Sequence, residues 1–246
     1  MSPRQRLRGW IAAPVLALLG GILLWGLSGA PAFGEFHGAY GDLLNRIAVP
    51  QRHTTNVVTA IVFDYRGFDT MGEEFILFAS VVGVVLLLRD IREPAGDQDD
   101  PVASDAIRLF GVLMVGVILV FGLWLAAFGL VTPGGGFQGG VAVAGGIVLV
   151  FLVAGYRPWR TFGRETLLDP FEGLGAASYV ALGLAALIAG APFLHNLLGP
   201  GTTGTLLSGG SMSLLNWAVA VEVAAANLVL YTEFLESYLV PHLPTS

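Results

Sequence analysis

"IRLFGVLMVGVILVFGLWLAAFGLVTPGGGFQGG", residues 107–140, is the stretch that decides the fold. Its end spells G-x-G-x-x-G at Gly134, Gly136 and Gly139, the spacing of a turn that cradles a dinucleotide's pyrophosphate. Such a turn follows a strand of about six residues, and an acid for the ribose stands about 20 residues further on. Here the apolar run from Ile107 to Val131 is far too long for that strand, and Trp159 stands where the acid belongs. No Lys-Ser/Thr pair follows, so a P-loop fails as well. The glycines read better as structure. Pro133, Gly134, Gly135 and Gly136 predict a tight turn between two membrane spans. Gly135/Gly139 and Gly136/Gly140, each four apart, give the next helix a smooth face for close packing. No nucleotide and no other cofactor is expected.

The rest of the chain agrees with a membrane setting. It is 54% hydrophobic and only 12% charged, about half the charge that a soluble domain carries on its surface. Apolar runs at Trp10–Leu27, Phe75–Leu88, Ile107–Val131, Val141–Gly155, Leu174–Leu194 and Leu214–Leu230 approach the length that crosses a bilayer. The expected fold is an all-α integral membrane protein with about six spans, multi-pass in the inner (plasma) membrane. The first run has a basic flank and the small-residue string Gly29-Ala30-Pro31-Ala32, as a signal peptide has. Its length, and Pro31 inside the cleavage box, favour a retained span. The chain has no cysteine, which excludes thiolate-held clusters and cysteine nucleophiles. A net charge of −6 gives no reason to expect nucleic acid.

All twelve basic residues are arginine, and they predict an orientation. Arg4, Arg6, Arg8, Arg89, Arg92, Arg108, Arg157, Arg160 and Arg164 fall in one set of alternate segments. Only Arg46, Arg52 and Arg66 fall in the other, so both termini are expected in the cytoplasm and the glycine turn outside. The acidic stretch "EPAGDQDDPVASD" is the one linker-like segment. It divides residues 1–95, with two spans, from 105–246, with four, across a linker at 96–104. The Gly/Pro-rich segment 28–55 reads as irregular. Residues 55–63 are apolar but too few to span, so a short interfacial or half-inserted helix is expected. A break at Arg66-Gly67 follows, then a span from near Thr70.

The chemistry is carried by acids. Glu222 has about eight largely apolar residues on either side, and an ionisable group at such depth belongs in a protein interior or an ion path. The bland alternative is a protonated group that ties helices together. Glu233 and Glu236 share its helix face, while Asn216 and Asn227 share another suited to helix–helix hydrogen bonds. Asp69, Glu73 and Glu74 stand at one end of the second span, with Arg66 a plausible ion-pair partner for that face. For these three, a solvated anchor is the simpler reading from residue chemistry. His195 and Asn196 read as interfacial caps. His37, His53 and His242 lie in loops or tails, and none has a partner at metal-ligand spacing. Neither a metal site nor an enzyme active site is expected.

Two stretches resemble known families. "PGGGFQGG", Pro133 to Gly140, and "NWAVAVEVAAANLVLYTEFLE" resemble the B subunit of Mrp-type multisubunit Na+/H+ antiporters (MnhB/MrpB). "NVVTAIVFDYRGFDTMGEEFILFA", Asn56 to Ala79, is similar to the C-terminal segment of the antiporters' MrpA protein and to the MbhE protein of membrane-bound hydrogenases. Its core is "DxRGFDTxGE", here Asp64, Arg66, Gly67, Phe68, Asp69, Thr70, Gly72 and Glu73. The resemblance implies a fusion of two subunits within a large complex that exchanges Na+ or another monovalent cation for H+. Partner subunits and membrane lipid would be its neighbours. The family's acid in the RGFDTxGE segment falls on Glu73, which raises that residue above an anchor. Membership of a hydrogenase-type complex and a purely structural role are the competing implications. Family members often carry histidines before the glycines. Phe128 and Leu130 stand in "FGLVTP" here, so a histidine relay does not carry over.

Overall fold

The computed structural model describes residues 3–30, 34–35, 38–88, 104–155, 159 and 165–238. The linker up to residue 103, His37, His242, the arginines at 89, 92, 157, 160 and 164, and the side chain of Glu236 lie outside the described residues. The chain parts into two compact units, Met1–Asp42 and Leu43–Ser246. The first carries α1 (Pro3–Ser28), in which Ala13–Ser28 is apolar but shorter than a full span.

At the junction the segment expected to be irregular is helical instead, as α2 (Ala39–Arg52). Its reason is a short amphipathic repeat: Leu44 and Ala48, four apart, are buried. A short α3 (Val57–Ala60) follows, capped by the Asn56 side chain, and passes into a π-helical turn at Ile61–Tyr65. Arg66 leaves helical geometry, and α4 (Gly67–Leu88) begins at once. The break stands where the charged motif predicts it. The helix starts at Gly67, three residues before the expected Thr70, because "GFDTMGEE" forms its first two turns.

Four more helices complete the second unit: α5 (Asp105–Ala127), α6 (Gly136–Ala154), α7 (Glu165–Ile188) and α8 (Ser211–Tyr238). With α4 these make five helices long and apolar enough to cross a membrane, among the described residues. No described residue is in a strand. The seam between α5 and α6 is shifted relative to the apolar runs, since the turn takes Phe128 to Gly135 out of both helices. Helix α7 stops at Ile188 rather than Leu194, because Gly190 (φ +76°) and Pro192 end it.

Within the second unit, α4 to α8 run in alternating directions. The starts of α4, α6 and α8 and the ends of α5 and α7 therefore gather at one end, here termed the turn end. The most buried of the five is α8, which packs against α6, α7 and α4. Small residues permit this. A Cβ added to Gly136 would lie 2.0 Å from the Asn216 carbonyl oxygen, and one on Gly140 2.7 Å from that of Ala220. Gly139 turns the other way, onto Gly122 and Ala126 of α5. The Gly136/Gly140 stripe thus serves α8, while Gly135 lies outside the helix as its N-terminal cap.

The turn is held from outside. Gly134 (φ +152°) and Gly135 (φ +150°) adopt backbone angles that favour glycine. Their neighbours' carbonyls are taken up by the α2–α3 segment. Thr54 donates to Leu130 O, Thr55 to Val131 O, and Thr59 to Gly129 O at 2.7 Å. The Asn56 amide reaches Gly129 O at 2.7 Å, Thr132 O at 3.1 Å and Gly134 O at 3.4 Å. Asn56→Ala removes these contacts and the α3 cap together. A side-chain cap alone contributes about 1 kcal/mol, so a loss of about 2 kcal/mol is expected in thermal unfolding of the detergent-purified chain.

Asn216 performs the matching task from α8. Its Oδ1 accepts from Gly136 N–H at 2.6 Å and its Nδ2 donates to Ala126 O at 2.7 Å, joining three helices. Asn227 differs from the expectation for the pair: it is half-buried and donates to Val223 O of its own helix. Asn196 does cap, accepting from Ser211 N–H at 2.8 Å where α8 begins, whereas His195 lines a cavity beside it.

Candidate functional site: a buried line of carboxyls

Glu222 and Glu74 form the centre of the site. On α8, Glu222 lies eleven residues from Ser211, about 16 Å along the axis. On α4, Glu74 lies seven residues from Gly67, about 10 Å in. Both are closed off, at 0% and 1% exposure. They sit between two apolar clusters, one with Phe63, Tyr179, Val219 and Val223, the other with Val81, Ala144, Ala226 and Val229.

The two carboxyls approach one another closely enough to interact directly. No donor of the described residues reaches any of their four oxygens. A hydrogen bond open to them is therefore the one between them, with one carboxyl O–H donating to the other carboxylate. Two bare carboxylates at that range in an apolar interior are unfavourable, and a proton or a cation between them would relieve the pair.

Glu73 and Asp69 lie nearer the turn end. Glu73 is exposed on the outside of α4, and together with Glu74 it lines a cavity of about 230 Å³. Gln138, Thr59, Thr70 and the Gly134–Gly136 backbone form its other polar walls. Asp69 is turned away from that cavity. It is ion-paired with Arg66 at 2.5 Å, and both side chains are about half exposed. The pair lines a larger polar cavity of about 700 Å³ at the turn end, with His195, Asn196 and a second ion pair, Arg52–Asp64, at 2.5 Å. The π-helical turn separates the two cavities: Asp64 and Tyr65 face the larger, Val62 and Phe63 the smaller. π-Helical turns concentrate at functional sites.

The structure thus brings Glu74 and Glu222 together, places Glu73 beside Glu74 on the small cavity, and leaves Asp69 on the larger one. It also places residues that the sequence reading passed over. Glu172 of α7 is 5% exposed, and its Oε1 has no hydrogen-bond partner. Tyr179 is buried and donates to Gly67 O at 2.8 Å, fastening the start of α4 to α7. Glu172, Gly175 and Tyr179 follow the i, i+3, i+7 pattern of one helix face, the signal that could have found them. The expected apolar run begins only at Leu174, which leaves Glu172 outside it.

Two amides of the glycine turn are already committed: Gly136 N–H is taken by Asn216, and Gly135 N–H donates to Leu125 O at 3.1 Å. No group of three or more His, Asp or Glu side chains that could hold a metal ion occurs among the described residues.

Five helices long and apolar enough to cross a membrane, among the described residues, define a multi-pass membrane protein. Residues 106–229 match the family described as a domain related to the MnhB subunit of Na+/H+ antiporters, and the chain belongs to that family. Residues 13–104 match a second family, MbhE, the E component of MBH. Among relatives, the chain is 26% identical over 205 residues to an uncharacterized protein of Methanocaldococcus jannaschii, covering 74% of this chain and 78% of that one. It is 32% identical over 166 residues to the A/B component of a probable K(+)/H(+) antiporter of Rhizobium meliloti. That match covers 57% of this chain but only 16% of the longer relative. Among solved structures, a chain of the membrane-bound sulfane sulfur reductase, an archaeal respiratory membrane complex, is similar at TM-score 0.71 and 28% identity. The match covers 93% of this chain and 98% of that one. A chain of the Mrp complex from a Dietzia species shares the fold at TM-score 0.68 and 22% identity, covering 95% of this chain and 26% of that one.

Proposed function

We propose that this chain is an ion-translocating membrane subunit of a multisubunit complex that exchanges a monovalent cation, Na+ or K+, for H+. The observation that carries the reading is the Glu74–Glu222 pair, enclosed among the apolar helices with no donor from the described residues. Glu73 and the small cavity connect that pair to the turn end, while Asp69 with Arg66 lines the separate, larger cavity there. The chain itself carries out no chemical conversion. Its partners are the other subunits of the complex and lipid.

The turn end faces outward in this reading, which the nine-to-three division of arginines supports. The chain joins a module at 1–95 to one at 105–246 through the acidic linker at 96–104. The family matches ending at residue 104 and starting at residue 106 support that boundary. In the fold the two modules share one core, since α4 packs on α8.

Glu222→Gln tests the reading. In vesicles holding the assembled complex, cation-dependent proton exchange is expected to fall by about 100-fold, with the composition of the complex unchanged. Wild-type exchange in that variant would sink the role. A second reading, the equivalent subunit of a redox-driven ion pump, is favoured by the likeness to the sulfane sulfur reductase chain over nearly its whole length. The neighbouring genes separate the two: redox subunits for a pump, antiporter subunits for an exchanger.

A further inference from the structure

The acid line does not stop at Glu222. On α7, Gly175 packs directly on the Glu222 backbone, where an added Cβ would lie 2.5 Å from the Glu222 Cβ and 2.8 Å from its Cα. That contact brings the α7 face against the carboxyl. One turn before Gly175 on the same face stands Glu172, which acts electrostatically on Glu222. Because α7 and α8 run in opposite directions, Glu172 falls at about the level of the "AAA" of residues 224–226. One further turn back is Asp169, within electrostatic reach of Glu172 and exposed. Measured from Ile188 at the turn end, Glu172 lies about 24 Å and Asp169 about 28 Å along α7. The full order is Glu73, Glu74, Glu222, Glu172, Asp169: exposed, three buried, exposed.

Glu172 is more than an acid in a cluster. It is over nine-tenths buried, faces an equally enclosed Glu222, and carries a carboxyl oxygen with no donor. An isolated structural carboxyl would have found a hydroxyl or amide, since buried polar groups are normally satisfied. Glu233, the other buried acid of α8, stands eleven residues beyond Glu222, about 16 Å along the axis and too far for a direct transfer. Tyr179 has its hydroxyl committed to Gly67 O.

We propose that Glu172 and Asp169 form the exit limb of a proton path through this chain, taking protons from Glu222 to the end opposite the glycine turn. The proposal rests on the ion-path reading of Glu74 and Glu222 and assigns the ion on this limb. A dehydrated monovalent cation needs several oxygens converging on one point, and these carboxyls are strung out one after another. A proton needs only a neighbour. At each transfer it leaves one carboxyl O–H and joins an oxygen of the next carboxylate, directly or through a water. One O–H bond forms, one breaks, and no electrons change hands.

The test uses the assembled complex in vesicles and compares Glu172→Gln, Glu172→Asp and Asp169→Asn with Glu222→Gln. Glu172→Gln is expected to lower the maximal exchange rate by about tenfold or more, with the apparent KM for the cation unchanged. Glu172→Asp should restore much of the rate, and Asp169→Asn should lower it less, since bulk water can substitute at an exposed end. A wild-type rate in Glu172→Gln beside an inactive Glu222→Gln would overturn the exit limb and leave the ion-path reading standing. A raised cation KM with an unchanged maximal rate would overturn the proton assignment. Should Glu172→Gln fail to assemble, Asp169→Asn and Glu172→Asp decide: wild-type rates in both overturn the limb. Wild-type rates in Glu172→Gln and Glu222→Gln alike would sink the underlying reading as well.

Discussion

Gly136→Ala is expected to prevent the chain from accumulating as a folded protein, although the change is a single methyl group. The added carbon would lie 2.0 Å from the Asn216 carbonyl oxygen and 3.0 Å from Ala220 N, both backbone atoms of α8. Neither can rotate away, so α6 and α8 must separate by about 1 Å to reach ordinary contact. That separation strains the Gly136 N–H bond to Asn216 and loosens the Gly140 contact one turn on. Overpacking of this kind costs about 1–3 kcal/mol and occasionally more. The damaged hydrogen bond adds about 1 kcal/mol. Gly145, on the same helix, has nothing within 4 Å of its added Cβ. Gly145→Ala should therefore be neutral or stabilising by up to about 1 kcal/mol through helix propensity. The yield and melting temperature of the detergent-purified chain distinguish the pair. Equal behaviour of the two variants would refute the close approach.

Asn216→Leu is the second large expected effect. It removes the acceptor that satisfies the first amide of α6 and the donor that reaches the end of α5. Single interhelical hydrogen bonds within membranes average about 0.6 kcal/mol and reach about 1.7. Two at one fully buried junction, one of them to an orphan helix-start amide, put the loss at about 2–3 kcal/mol. Asn216→Asp keeps the acceptor and should recover part of that loss. Asn227→Leu should cost well under 1 kcal/mol, because its amide returns only to Val223 O of the same helix. The two asparagines look alike in sequence, and thermal unfolding of the variants should separate them cleanly.

The contrast shows what could be read from the residues. Spans with long apolar runs were legible because length in hydrocarbon is a one-dimensional property. The depth of Glu222 was legible for the same reason. What "RGFDTMGEE" does at the start of α4 was not, since the stretch looks uniformly polar until its exposed side and its cavity side are known. The helix α2 hid behind Gly41, Asn45 and Pro50, and it shows itself only through Leu44 and Ala48. Glu172 was missed because it precedes the apolar run at Leu174, although Gly175 is what brings its helix onto Glu222. The partners of Asn216 and Asn56 are 73 to 90 residues away in the chain. No local pattern encodes a contact at that separation.

The clamp on the glycine turn also bears on how such a chain is put together. Carbonyls at Gly129, Leu130, Val131, Thr132 and Gly134 in the second module are completed by Thr54, Thr55, Asn56 and Thr59 from the first. Produced alone, the second module would present those five oxygens to lipid or headgroups with no substitute donors. The first module would in turn lose the wall of its own cavity. Each half is the other's missing backbone partner, so neither is useful in excess. One continuous polypeptide fixes their ratio at one to one and makes them available to each other from the moment of synthesis.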